Sequence, residues 1–195
     1  MADINTNELK GIPPVTREAL DDALNTATAK VKIGLQTATP VNAVAATGTL
    51  TFTSTVSDGE TVTIGADVYE FDTDASVTSG NILVDVSGGA TASAAVTALV
   101  AAITASDTVG VGGADGAGDT VTLTADTKGT AANSFATTET CANASFGEAT
   151  LTGGVDGTVG KAFELVADAS YLYVAVADNT VADTNWRRVT LGSAY

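Results

Sequence analysis

From Gly48 onward, apolar side chains fall at every second position. Leu50, Phe52 and Val56 alternate with threonine and serine, Ser57-Asp58-Gly59-Glu60 marks a turn, and Val62 and Ile64 resume the alternation. Gly65-Ala66-Asp67 turns the chain again before Val68-Tyr69-Glu70-Phe71, and a further strand is expected over residues 82–86. A period of two sends alternate side chains to opposite faces, so the pattern predicts a meander of half-buried strands. The period then becomes helical. Gly88-Gly89 interrupts, Thr91 offers a hydroxyl N-cap, and Ala92, Val96, Leu99 and Ile103 form one stripe suited to packing on the sheet, ending near Ser106. An Ala/Gly/Asp loop follows, then a strand over residues 120–125, a polar segment carrying Phe135 and Phe146, and Ala149-Thr150-Leu151. Gly153-Gly154 closes this unit.

The flanks read differently. The first fifteen residues are polar and broken by Gly11, Pro13 and Pro14, which predicts an arm. Thr16 can cap a helix over residues 16–32, with Glu18, Asp21 and Asp22 near its positive end and Lys30 and Lys32 near its negative end. Leu20, Leu24, Ala27 and Val31 make a narrow apolar seam that must pack on its own body, on symmetry mates or on another protein. Pro40 and the small residues 41–47 read as a linker. At the other end, residues 163–166, 171–176 and 186–191 are expected strands. Leu172, Val174 and Val176 share one face, Val189 and Leu191 can meet them, and Trp186 and Arg188 point the other way. Arg187 ends the apolar row, where it either emerges at the sheet edge or meets a carboxylate. The expected fold is α+β and strand-rich: an N-terminal arm, helix and linker (1–47) for attachment or oligomerisation, a β-meander/helix/β central domain (48–157) and a small antiparallel C-terminal β module (158–195).

Composition changes what such a fold can rest on. Hydrophobic residues make up 45% of the chain, enough to require folding, but aromatics are only 5% and alanine, valine, threonine and glycine dominate. Burial stabilises in proportion to apolar area, at roughly 25 cal/mol per Å². An alanine-rich core is thin, so the subunit is expected to gain stability by assembling. Eight basic against 23 acidic residues give a net charge of -15 and a pI near 4.1. No cation occurs between Lys32 and Lys128. Nucleic acid and anionic membranes both demand cations, so neither is an expected partner. The start, Met1-Ala2-Asp3-Ile4-Asn5, lacks the basic and apolar regions of a signal peptide, and synthesis in a cytoplasm is expected.

Candidate chemistry is sparse. The chain has no histidine, which removes Ser-His-Asp and Cys-His arrangements and imidazole metal sites. Cys141 has no nearby cation in sequence to lower its pKa and reads as a small packing residue. The loop over residues 112–119 lacks the Gly-Lys-Ser/Thr ending of a phosphate cradle and, with Asp115 and Asp119, falls short of a calcium loop; it reads as a glycine-rich turn between strands. Close carboxylates such as Asp72 with Asp74 and Asp21 with Asp22 read as solvated faces. No catalytic residue, cofactor or metal is expected, and the chain is read as a non-enzyme. The expected interaction residues are Leu20, Leu24, Ala27, Val31, Trp186, Arg187 and Arg188.

The stretch Val62-Thr63-Ile64-Gly65-Ala66-Asp67-Val68-Tyr69-Glu70-Phe71, with Asn81-Ile82-Leu83-Val84-Asp85-Val86 and residues 92–102 after it, resembles a module of tailed-bacteriophage virion proteins. So does Asp119-Thr120-Val121-Thr122-Leu123-Thr124-Ala125 leading through Gly129-Thr130-Ala131-Ala132-Asn133-Ser134 to Leu151-Thr152-Gly153-Gly154-Val155-Asp156. Tyr171-Leu172-Tyr173-Val174 and Asn185-Trp186-Arg187-Arg188-Val189 resemble the closing β module of phage head-fibre and tail proteins. The resemblance implies a virion structural protein without catalytic residues. It points first to a head decoration or head-fibre protein, a homotrimer, that binds the major capsid protein or other virion proteins on the capsid exterior. A tail-tube, neck or baseplate component is the second expectation, and a carbohydrate-binding surface module the third.

Overall fold

The computed structural model describes residues 33–34, 39–74, 76–106 and 108–192. In chain order they form β1 (Ile33–Gly34), β2 (Thr47–Phe52), β3 (Thr61–Ile64), β4 (Asp67–Asp72), β5 (Ile82–Asp85) and α1 (Ala92–Ser106). After these come β6 (Val111–Gly116), β7 (Thr120–Ala125), a 3₁₀ turn (Thr130–Ser134), β8 (Thr137–Glu139), β9 (Ala144–Phe146), β10 (Leu165–Ala167), β11 (Tyr171–Ala175) and β12 (Trp186–Thr190). The fold is strand-rich, with one helix and three sheets that are mostly antiparallel among the described residues. The arm and helix expected over residues 1–32 lie outside the described residues.

Two of the sheets share one core. Their orders are β6-β7-β2-β9 and β5-β4-β3-β8. Phe52 of β2 and Phe71 of β4 meet edge to face, ring centroids 5.8 Å apart, which joins the two inner faces. The β8 and β9 edges approach each other on one side, and α1 packs against β5 and β6 on the other. The result is a sandwich with a helix filling its open side. Thr91 caps that helix as its sequence requires, its Oγ1 accepting the Ala94 N–H at 3.3 Å. Ala95, Val96, Leu99, Ala102 and Ile103 are the buried stripe.

The structure corrects three expectations in this unit. β2 does not belong to a meander with β3: it pairs with β7 and β9 in the opposite sheet, while β3 and β4 form a hairpin turned at Gly65, φ +61°. β4 is not half-buried. Tyr69 and Phe71 face the core, while the connection after β4 folds over its other face and meets the carboxylates there. Glu70 accepts the Asn81 amide at 2.5 Å and the Thr78 N–H at 3.2 Å, and Asp72 accepts the Ser76 N–H at 2.8 Å. The glycine-rich stretch over residues 112–119 is mostly strand: β6 runs from Val111 to Gly116 and only the tip turns. Glycine is needed there because α1 lies close; a Cβ on Gly113 would stand 2.9 Å from Ile103 Cδ1.

The third sheet, β1-β10-β11-β12, has a core of its own in Val166, Tyr173, Ala175 and Trp186. The segment expected to be a linker before β2 is fixed in place. Val44 bridges Val155, Ala43 N–H donates to Asp183 O at 3.0 Å and Thr158 N–H donates to Val41 O at 2.9 Å. Ala43 and Ala46 are buried. No described helix is long and apolar enough to cross a membrane.

Candidate interaction surface

The C-terminal sheet is inverted relative to its hydropathy. In the β11–β12 ladder Tyr171 faces Thr190, Tyr173 faces Arg188 and Ala175 faces Trp186, while Leu172 faces Val189 and Val174 faces Arg187. Leu172 and Val189 thus meet as the alternation predicts. Their face is the outer one, however: Val189 is 60% exposed, with Val176 and Leu191 also exposed, and Leu172, Val174 and Leu165 only half-buried. The buried face is the Tyr/Ala/Trp one. Trp186 lies on the face opposite Leu172 and Val189, as its alternation predicts, and is 4% exposed.

Contacts from distant parts of the chain choose that face. Asn42 reads the backbone of Trp186 from both sides, its Oδ1 accepting the Trp186 N–H at 3.1 Å and its Nδ2 donating to Trp186 O at 3.2 Å. The indole Nε1–H donates to Thr158 O at 2.7 Å. The ring lies where a Cβ on Gly160 would be, 2.5 Å from Cζ2. Asn179, buried in the connection before β12, donates to Thr158 O at 2.6 Å and accepts the Asn185 N–H at 2.7 Å. Sequence reasoning missed Asn42, Gly160 and Asn179. A single asparagine or glycine in a small-residue chain gives no periodic signal that could have marked them.

Beside this face lies a groove of about 560 Å³ between residues 39–42 and Tyr173, Trp186, Arg187 and Arg188. The structure therefore brings Trp186, Arg187 and Arg188 together at one place, whereas Leu20, Leu24, Ala27 and Val31 lie outside the described residues. Arg187 emerges from the sheet and donates to Thr184 O at 2.6 Å, and among the described residues it pairs with no carboxylate. Arg188 stacks 4.6 Å above the Tyr171 ring. Asp168 receives the N–H groups of Ser170 and Tyr171, both at 2.7 Å, and the Tyr173 hydroxyl at 2.9 Å. These bonds, the one from Ser170 foremost, hold its carboxyl below the usual aspartate range, while burial and the hydroxyl's own bond to Asp168 push the Tyr173 phenol up. Because the indole is almost fully covered, it floors the groove and offers no free ring face for a sugar to stack on.

One corner of the outer face is strained. Phe163 has φ +64° and is 74% exposed. A bulky residue in the left-handed region is uncommon and persists only where its surroundings fix it. Here Phe163 N–H donates to Ala175 O at 2.7 Å, Ala162 N–H to Asp178 at 2.9 Å and Lys161 N–H to Glu164 at 3.0 Å. Lys161 and Asp178 also form an exposed ion pair at 2.8 Å, which raises the lysine pKa and lowers that of the aspartate through the shared hydrogen bond.

Three other sets of reactive residue types lie among the described residues of the central unit. Asp58, Asp72 and Asp74 bring carboxylate oxygens within 4.8 Å of one another, oxygens of the type a hard cation takes. Asp72 is buried, which corrects its reading as part of a solvated face with Asp74. Asp58 already accepts the Thr73 N–H at 2.8 Å and hydroxyl at 3.0 Å. Asp115 and Asp119, weighed as calcium ligands, are exposed on β6 and in the turn after it. Cys141 is buried, and desolvation, with Glu60 and Glu139 nearby, pushes its thiol up to about 12. At neutral pH it carries no thiolate character.

Comparison with known proteins finds no family model, no curated relative and no solved structure that matches this chain.

Proposed function

We propose that the chain is a structural protein of a tailed-bacteriophage particle, bound to the capsid exterior as a head decoration or head-fibre protein, and that it works by adhesion without a bond-making centre. The observation that carries the adhesive part of this reading is the outer face of the C-terminal sheet. Leu172, Val174, Val176, Val189 and Leu191 form an apolar surface beside the exposed Phe163, in a chain whose net charge of -15 otherwise favours water. Exposed apolar patches of that kind mark interaction sites. The acidic remainder suits a protein present at high copy number and matches basic patches on a partner. The virion assignment rests on the resemblance of residues 62–71, 119–156 and 171–189 to phage structural modules.

The test is co-sedimentation of the purified chain with emptied phage heads and, separately, with isolated tails. Saturable binding to heads is the expected result, with loss of binding when residues 1–32 are deleted and the remainder stays folded by circular dichroism. Binding to tails alone would move the chain to a tail-tube, neck or baseplate role. Undiminished head binding by the truncated chain would remove the attachment role given to residues 1–32.

A further inference from the structure

We propose that the outer face of the C-terminal sheet is the seat for residues 16–32 of a neighbouring copy, so that the chain assembles by exchanging N-terminal segments. This deepens the structural reading above and rests on its adhesive part alone.

Three observations select that occupant. The first is where the chain enters. β1 begins at Ile33 and pairs in parallel with β10, so the 32 residues before it arrive at the edge of this same sheet. The second is fit. The seam from Leu20 to Val31 would extend about 16 Å along a helix at 1.5 Å per residue, and four strands at about 4.8 Å spacing are roughly 14 Å across. An apolar stripe of that length covers the sheet once, and Leu172, Val174 and Val189 are the residues it would cover. The third is charge. Residues 1–32 hold four cations (Lys10, Arg17, Lys30, Lys32) and five carboxylates (Asp3, Glu8, Glu18, Asp21, Asp22), a net of -1. The remaining 4 cations and 18 carboxylates leave the rest of the chain at -14. Two such bodies repel face to face, whereas the near-neutral segment approaches the sheet without that cost.

The segment serves a neighbour because of its own connection. The expected helix runs to about Lys32 and β1 starts at the next residue. Reversing a chain between a helix and a strand takes about two to six residues. With none to spare, a helix over residues 16–32 would be carried away from the sheet that its own strand joins. The same face in the next copy is then the apolar surface within reach.

The experiment uses full-length chains. One copy carries Leu24→Cys and the other Val189→Cys, and the two are co-expressed and mildly oxidised; native Cys141 is buried and stays out of the reaction. A covalent dimer joining the two variants is the expected product. In a chain carrying both substitutions, a cross-link formed within isolated monomers would overturn the exchange. Val189→Glu places a charge on an exposed position and should leave the circular dichroism and Trp186 emission unchanged. It should weaken assembly at least about a hundredfold by analytical ultracentrifugation. Leu24→Glu should do the same from the other side. Unchanged assembly of both variants would overturn the proposal. Assembly through this face by a chain that ignores phage heads would remove the virion assignment and leave the exchange standing; a monomer that decorates heads would do the reverse.

Discussion

Substituting Gly160 by alanine tests how the C-terminal unit is held together. A Cβ at this position would stand 2.5 Å from Trp186 Cζ2 and 3.2 Å from a Glu164 carboxylate oxygen. The indole cannot withdraw easily, because its Nε1–H is bonded to Thr158 O and its backbone to Asn42 on both sides. The glycine cannot withdraw either, since its N–H and C=O pair with Asn179 at 3.0 and 2.8 Å. Overpacking of a fixed site costs about 1–3 kcal/mol. The core that absorbs this cost consists of Val166, Tyr173, Ala175 and Trp186. With a urea slope of about 1 kcal/mol per M for so small a unit, the midpoint of its unfolding should fall by roughly 1–3 M. Trp186 is the sole tryptophan, so its emission follows this unit, while far-ultraviolet circular dichroism is dominated by the two sheets of the central unit together with α1. The emission transition should move to lower urea and the dichroism transition should stay. An emission midpoint equal to that of the parent chain would refute the claim that the ring requires glycine there.

Three further substitutions or treatments probe other parts of the argument. Leu99→Ala removes a fully buried side chain from the face of α1 between the sheets and should cost about 2–5 kcal/mol, lowering the dichroism transition while leaving Trp186 emission in place; a loss below about 1 kcal/mol would mean that the helix packs loosely. Cys141 should resist iodoacetamide in the folded chain at mildly alkaline pH and react fully in denaturant, read by mass spectrometry, because its thiol is buried and pushed up to about 12; labelling of the native chain at the rate of a free thiol would contradict its placement. Glu70 is held below the ordinary glutamate value, chiefly by the Asn81 amide, so it contributes stability that is complete above about pH 4.3 and is lost as pH falls through its lowered folded value. The stability difference between the parent chain and Glu70→Gln should therefore shrink on acidification. A difference that stays constant from neutral pH into the acid range would refute the role given to that carboxylate.

Local periodicity determined much of the central unit. The alternation at Leu50 and Phe52, at Val62 and Ile64 and over residues 120–125 became strands, and Thr91 with its stripe became α1 nearly residue for residue. Such elements are legible because the side chains that define them sit two or four residues apart, and the local backbone period alone decides which ones share a face. β6, β8 and β9 were not legible. β6 is rich in glycine and takes its place from the Ile103 side chain of α1, and the other two are three-residue strands fixed by their partners β3 and β2.

The C-terminal sheet shows the limit most clearly. The parallel edge strand β1 and the shift of the first expected strand from residues 163–166 to Leu165–Ala167 were not legible, but the pairing of β11 with β12, with Leu172 against Val189, followed from sequence. Which side of the sheet was buried did not. Both faces of β11 are apolar, Tyr171, Tyr173 and Ala175 on one and Leu172 and Val174 on the other, so alternation by itself cannot rank them. The choice was made by Asn42, 144 residues away from Trp186, and by Gly160 and Asn179, which together build a fitted and hydrogen-bonded place for one indole. Within β10, β11 and β12 the pairing is settled by neighbours along the chain, whereas the buried face is settled by the distant segment that satisfies its polar atoms. That left the more hydrophobic face turned outward, available for a partner.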